Sequence, residues 1–190
     1  MQKLVLGLVI FLGVHSIRIF APDLRDRMVA SMGASPWKIV YSLASLVGFA
    51  LIVGGYAQAR LEPVLLYNPP LWLRHVAALV MLPVFPLLVA AYLPGRIKTA
   101  VKHPMLVATK AWAVAHLLSN GMLADVLLFG GFLAWAVLDR ISVGKRPQSA
   151  VAKPTGPWRN DIIAVVVGLV LYVFFVKWAH MHLIGVPPFG

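Results

Sequence analysis

Six histidines, His15, His75, His103, His116, His180 and His182, carry most of this chain's metal-binding capacity, and there is no cysteine. Neutral imidazole is a common metal ligand and a regular axial ligand of haem iron. The missing cysteines exclude disulfides, thiolate haem ligation, iron–sulfur clusters and cysteine zinc sites. His103, His116, Lys110 and Asp125 all fall within one stretch, HPMLVATKAWAVAHLLSNGMLADVLLFGGFLAWAVLDR, residues 103–140. It opens on a His-Pro pair, carries a second histidine thirteen residues on, and closes on Asp139-Arg140. Each such group is costly in lipid unless it has a partner, so the stretch does more than fill a bilayer.

Composition indicates the elements able to position these residues. The 190 residues form one domain, 1–190, of which 61% are apolar and 12% charged, values that belong to an all-α polytopic membrane helix bundle. The net charge of +11 sits between apolar runs, so it describes solvated loops at a membrane surface and not a nucleic-acid partner. The first run, Leu4 to Phe20, is flanked by Arg18, Arg25 and Arg27 and has no cleavage site of the A-x-A kind, so it reads as a retained helix. Pro22 ends it, and a charged segment, Asp23 to Arg27, connects onward. A second helix starts near Pro36-Trp37 and reaches about Gln58, and Pro63 and Asn68-Pro69-Pro70 keep the next segment out of a helix. A third spans Leu71 to Leu93, with a kink expected at Pro83 and Pro86. The fourth run, Pro104 to Leu118, turns tightly at Ser119-Asn120-Gly121 into a fifth, Met122 to Leu138. A polar loop, Ser142 to Pro157, precedes the sixth, Trp158 to about Met181.

The fourth run is short for a span, which needs about 20 residues. Charge decides that it crosses. With six spans, one side holds Arg18, Arg25, Arg27, Lys38, Arg96, Lys98, Lys102, Arg140, Lys145, Arg146, Lys153 and Arg159, and the other only Lys3, Arg60, Arg74 and Lys177. The basic side is cytoplasmic, which puts both termini on the outer side of the membrane.

Depth then sorts the histidines. At 1.5 Å per residue, His116 lies roughly 5 Å, and His75 about 6 Å, from the outer ends of their helices. His15 and His103 match one another near the inner side. On the helical wheel His103 and Lys110 share a face, about 20° apart, while His116 lies about 140° away with Trp112, Thr109 and Met105. One cofactor therefore does not take both His103 and His116, and His103 is the weaker candidate. Each histidine also has a plainer reading, a ring near a helix end that bonds a neighbouring carbonyl. Lys110 snorkels to the inner surface, and His180-Met181-His182 reads as an interfacially solvated helix end.

The 103–140 stretch, together with GVHS near the start and LRHVAAL in the third helix, resembles the NnrU family of integral membrane proteins. That family is linked to nitrite and nitric oxide metabolism in denitrifying bacteria. It also includes the plastid 15-cis-zeta-carotene isomerase, an enzyme with b-type haem held by histidines. The resemblance implies a haem b site with iron on His116 and either His75, which depth favours, or His15, which the family pattern favours. It also implies a bacterial inner membrane, with the outer side periplasmic, and other denitrification-related membrane proteins as partners beside the lipid bilayer. Isomerase-like members carry a cysteine three residues before the AH histidine, where this chain has Ala113, so ligand exchange through that cysteine is excluded. Two other functions fit the residues. His103-Pro104 opening a hairpin resembles isoprenylcysteine and phospholipid methyltransferases, although SVGKRPQS stands where their acidic and aromatic residues belong. A non-catalytic assembly or transport helper is the other.

Overall fold

A computed structural model describes residues 1–145 and 156–188. The elements are α1 (Gln2–Phe20), α2 (Pro22–Met32), α3 (Ala34–Ala59), α4 (Leu73–Met81), α5 (Val84–Tyr92), α6 (Arg96–Val101), α7 (Pro104–Ser119), α8 (Leu123–Lys145), α9 (Trp158–Phe174), a π turn (Phe175–Ala179) and α10 (His180–Ile184). Among the described residues no strand forms, only a single antiparallel bridge between Leu65 and Met122. Among the described residues five helical segments are long and apolar enough to cross a membrane: α1, α3, α4–α5 taken together, α8, and the run Trp158–Ile184. At 16 residues α7 is shorter than these. The chain divides into two compact units.

The first unit is Met1–Asn68 with Asn120–Lys145, and so holds α1, α2, α3 and α8. Glycines bring α1 and α3 backbone to backbone. A methyl on Gly7 would sit 2.6 Å from the Ile52 nitrogen, one on Gly48 would lie 2.8 Å from that of Phe11, and one on Gly55 would collide with Leu4. Lipid gives no hydrophobic drive for helices to associate, so close approach and dispersion hold this antiparallel pair. The segment expected to be a charged connection, Asp23 to Arg27, is instead part of α2. Pro22 at its first turn has the helical φ already fixed, and Asp23 there complements the helix dipole. Gly33, at φ +89°, then turns the chain into α3.

The second unit is Pro69–Ser119 with, of the described residues, 156–188. Pro83 and Pro86 lack N–H donors, and the expected kink is a break, with α4 ending at Met81 and α5 starting at Val84. The Leu82 amide is shared between the Ala78 and Leu79 carbonyls, and Ala78 also accepts the Tyr172 hydroxyl of α9 at 3.2 Å. The shared Leu82 amide thus serves the Leu79 carbonyl that Pro83 leaves without its usual donor, and Tyr172 adds a tie from a neighbouring helix beside the break. Gly168 of α9 lies on Pro86, where a methyl would strike the ring. Val84, Leu87 and Ala108 form a core joined by Met81, Leu88, Ala111 and Trp112, so α7 runs back along both halves of the broken helix. At the far end the Asp161 carboxylate accepts the Arg96 and Ile97 amides at 3.1 and 3.0 Å, capping α6. Asn160 Nδ2 donates to the Pro94 carbonyl at 2.7 Å beside it.

The fifth expected helix runs past Leu138 to Lys145, so residues 142–145 are helical and not loop. The rest of that expected loop, with Arg146 and Lys153 of the charge count, falls outside the described residues up to Gly156.

Candidate functional site

His116 lies in the last turn of α7, half-buried, with its Nδ1 2.8 Å from the Trp112 carbonyl one turn earlier. A carbonyl only accepts, so Nδ1 carries the proton and a neutral ring keeps its lone pair on Nε2. A metal-ligating histidine can be anchored on backbone in this way, and the same bond to the carbonyl four residues back forms at His15 and His182. The Trp112 ring lies 5.3 Å away, centroid to centroid, and flanks the imidazole. The i, i+4 spacing produces all of this within one helix face.

His15 on α1 repeats the pattern. Its Nδ1 donates to the Phe11 carbonyl at 2.7 Å, and its ring stacks on Phe11 at 4.2 Å. Tyr41 of α3 lies 5.2 Å from it, and Trp135 of α8 meets it edge-on at 6.0 Å. Trp135 Nε1 is buried and, among the described residues, bonds to nothing, which leaves a donor beside the His15 ring. Phe11 is one turn away on the same helix, but no local signal in the chain points to Tyr41 and Trp135, which come from α3 and α8.

His75 sits in the first turn of α4, exposed, and its ring makes no hydrogen bond among the described residues. Since α4 and α7 run antiparallel within one unit, His75 and His116 lie toward the same end of that pair. His103 caps the opposite end of α7. The chain reverses at Lys102, φ +63°, and the His103 carbonyl accepts the Val107 amide at 3.2 Å. Along the continuous α7 it stands about 20 Å from His116. His180 and His182 point their Nδ1 atoms at the Val186 and Trp178 carbonyls, at 2.6 and 2.8 Å, and both are at the exposed end of the last helix.

Asp125, which needed a partner, has two. It is 3% exposed; Oδ1 accepts the Tyr56 hydroxyl at 2.6 Å and Oδ2 the Met122 amide at 3.0 Å. The second bond caps α8, and the first ties α8 to the last turn of α3. Arg60 lies 5.9 Å above the Tyr56 ring as a cation–π neighbour. Tyr67 donates to the Asn120 carbonyl at 2.7 Å, and its phenol is held above the ordinary value first by burial and then by the Asp125 charge.

Among the described residues no three His, Asp or Glu side chains gather as a metal cluster. An iron that arrives in a macrocycle asks for only one or two protein ligands, and a ring anchored like His116 can supply one. The model of the NnrU protein family matches residues 3–188. The chain belongs to the NnrU family. No curated protein and no solved structure matches it. The expectation drawn chiefly from residues 103–140 thus holds over nearly the whole length. His15, His75, His103 and His116 of this NnrU-family chain all fall within the matched range.

Proposed function

We propose that this NnrU-family protein is a multi-pass protein of the bacterial inner membrane that binds b-type haem through histidine. It acts in nitrite or nitric oxide metabolism or a related redox or isomerisation step, alongside other denitrification-related membrane proteins. His116 is the iron ligand, with His75 or His15 as the second. The observation that carries this is the His116 Nδ1–H bonded to the Trp112 carbonyl, which turns a lone-pair nitrogen away from its own helix. The same arrangement at His15 supports its candidacy, and the shared end of α4 and α7 supports that of His75. Bound haem would supply redox or small-ligand chemistry. What the chain contributes is a fixed tautomer at His116 and an aromatic wall at Trp112 that limits water.

The reading keeps six spans, both termini outside and a single domain, 1–190. Support for six comes from the first unit, where Tyr56 bonds Asp125 and residues 64–67 pair with 121–123. The excursion between them therefore leaves and returns at one level. With α4–α5 as one crossing, a second must bring the chain back, and α7 runs the right way. Its 16 residues cover about 24 Å, which leaves its ends at the rims of a core about 30 Å thick. The family match, unbroken from 3 to 188, supports one domain.

The test is an optical spectrum of purified protein, before and after haem loading, beside His116→Ala, His75→Ala and His15→Ala. A Soret band lost in His116→Ala at unchanged protein level is the expected result, and the second variant to lose it names the other ligand. A wild-type sample with no Soret band after loading overturns the proposal and leaves the helper role.

A further inference from the structure

The connection after α3 is unusual for a loop. Val64, Leu65 and Leu66 stand in a row, with Leu61 before them across Glu62 and Pro63, and Leu61 is 81% and Leu65 64% exposed. Loops at protein surfaces are ordinarily polar, and a contiguous apolar patch marks a contact. Part of the backbone of this patch is paired with the start of α8. The Leu66 and Tyr67 amides donate to the Gly121 carbonyl at 2.9 and 3.2 Å, and the Leu123 amide donates to Val64 at 2.8 Å. Non-helical chain tolerates apolar depth only where its polar groups find partners, and these bonds supply part of them, which suits a level where headgroups and water serve the rest. Gly121 permits the approach, because a methyl there would run into the Tyr67 carbonyl.

The same bonds fix the level of the loop. It lies beside the first turn of α8 and the last turn of α3, two helices long and apolar enough to cross the membrane. The helix that leads into it also carries exposed apolar side chains, Val47, Phe49 and Val53 among them. Arg60 before it and the Tyr67 phenol after it are residue types that settle at headgroups. We propose that residues 61–67 lie in the headgroup–acyl boundary of the leaflet at the C-terminal end of α3, as a lipid-contacting loop. The occupant of its apolar face is the protein's own bilayer. This stands apart from haem binding and depends only on α3 and α8 crossing.

The lack of native cysteine makes the test clean. Leu61→Cys, Leu65→Cys and Val53→Cys are each labelled with a nitroxide, and the full chain is reconstituted in phosphatidylcholine vesicles. Electron paramagnetic resonance power saturation then compares collisions with oxygen and with a water-soluble nickel chelate. At 61 and 65 oxygen is expected to exceed the chelate several-fold, at a level between Val53→Cys and free label. Chelate collisions dominating at both sites, with Val53→Cys still in lipid, would overturn the loop's placement while leaving the spans intact. Exclusion of both reagents with spin–spin broadening would overturn it in favour of a second copy of the chain. All three positions are exposed, so labelling does not disturb packing.

Discussion

The buried carboxylate of Asp125 joins the start of α8 to the C-terminal end of α3. A hydrogen bond to a charged group contributes about 1.5–3 kcal/mol, and stranding a buried partner costs a similar amount. Tyr56→Phe and Asp125→Ala should each lower stability to denaturant in detergent. Because each single variant strands the other group, the double variant should lose less than the summed losses, by about 1–3 kcal/mol. Additive losses would show the two groups to be uncoupled. Only half of this pair is legible in the residues alone. An aspartate in an apolar run demands a partner, but Tyr56 lies 69 residues away and nothing local names it. The histidines are more legible, since His116 and His15 each find their first partner four residues back, within one helix. The Tyr41 and Trp135 neighbours of His15 depend on tertiary packing, which periodicity does not report.

Among the elements, the α1–α3 contact makes the sharpest claim. Gly48→Ala places a methyl against the Phe11 backbone and should cost about 1–3 kcal/mol, as overpacking does. Gly54→Ala, six residues on and with nothing within 4 Å, should change stability by under about 0.5 kcal/mol. Thermal unfolding of both variants in one detergent checks the contrast, and equal losses would mean that the helices do not approach through Gly48. Local chemistry is a fair guide here to element type and a poor one to element ends. Pro83 and Pro86 announce the break between α4 and α5. Pro22 reads locally as a stop, although it begins α2, and Ser142 through Lys145 read as loop, although they continue α8. A proline that ends one helix is equally suited to the first turn of the next, and nothing in the residues alone chooses.

For the molecule as a whole, the testable property is its path through the bilayer. Periplasm-active phosphatase fused after Asn68 or at the C-terminus should be active, and fused after Gly95 or Lys145 inactive, with a cytoplasm-fluorescent reporter giving the reverse. Phosphatase activity after Lys145 would refute six spans. Charge alone argues for that path, because the rule concerns loops and needs no tertiary contact. The division into two units is not legible in the same way, since the first unit is assembled from chain ends that flank a 51-residue insertion, Pro69–Ser119. That insertion bears on biogenesis. When the ribosome has released Tyr56, its acceptor does not yet exist, and at about 5–20 residues per second the aspartate is roughly 3–14 s behind. Throughout that interval the newborn α1–α3 hairpin has one seam open, so the order of synthesis, and not only the final contacts, decides when that end can be sealed.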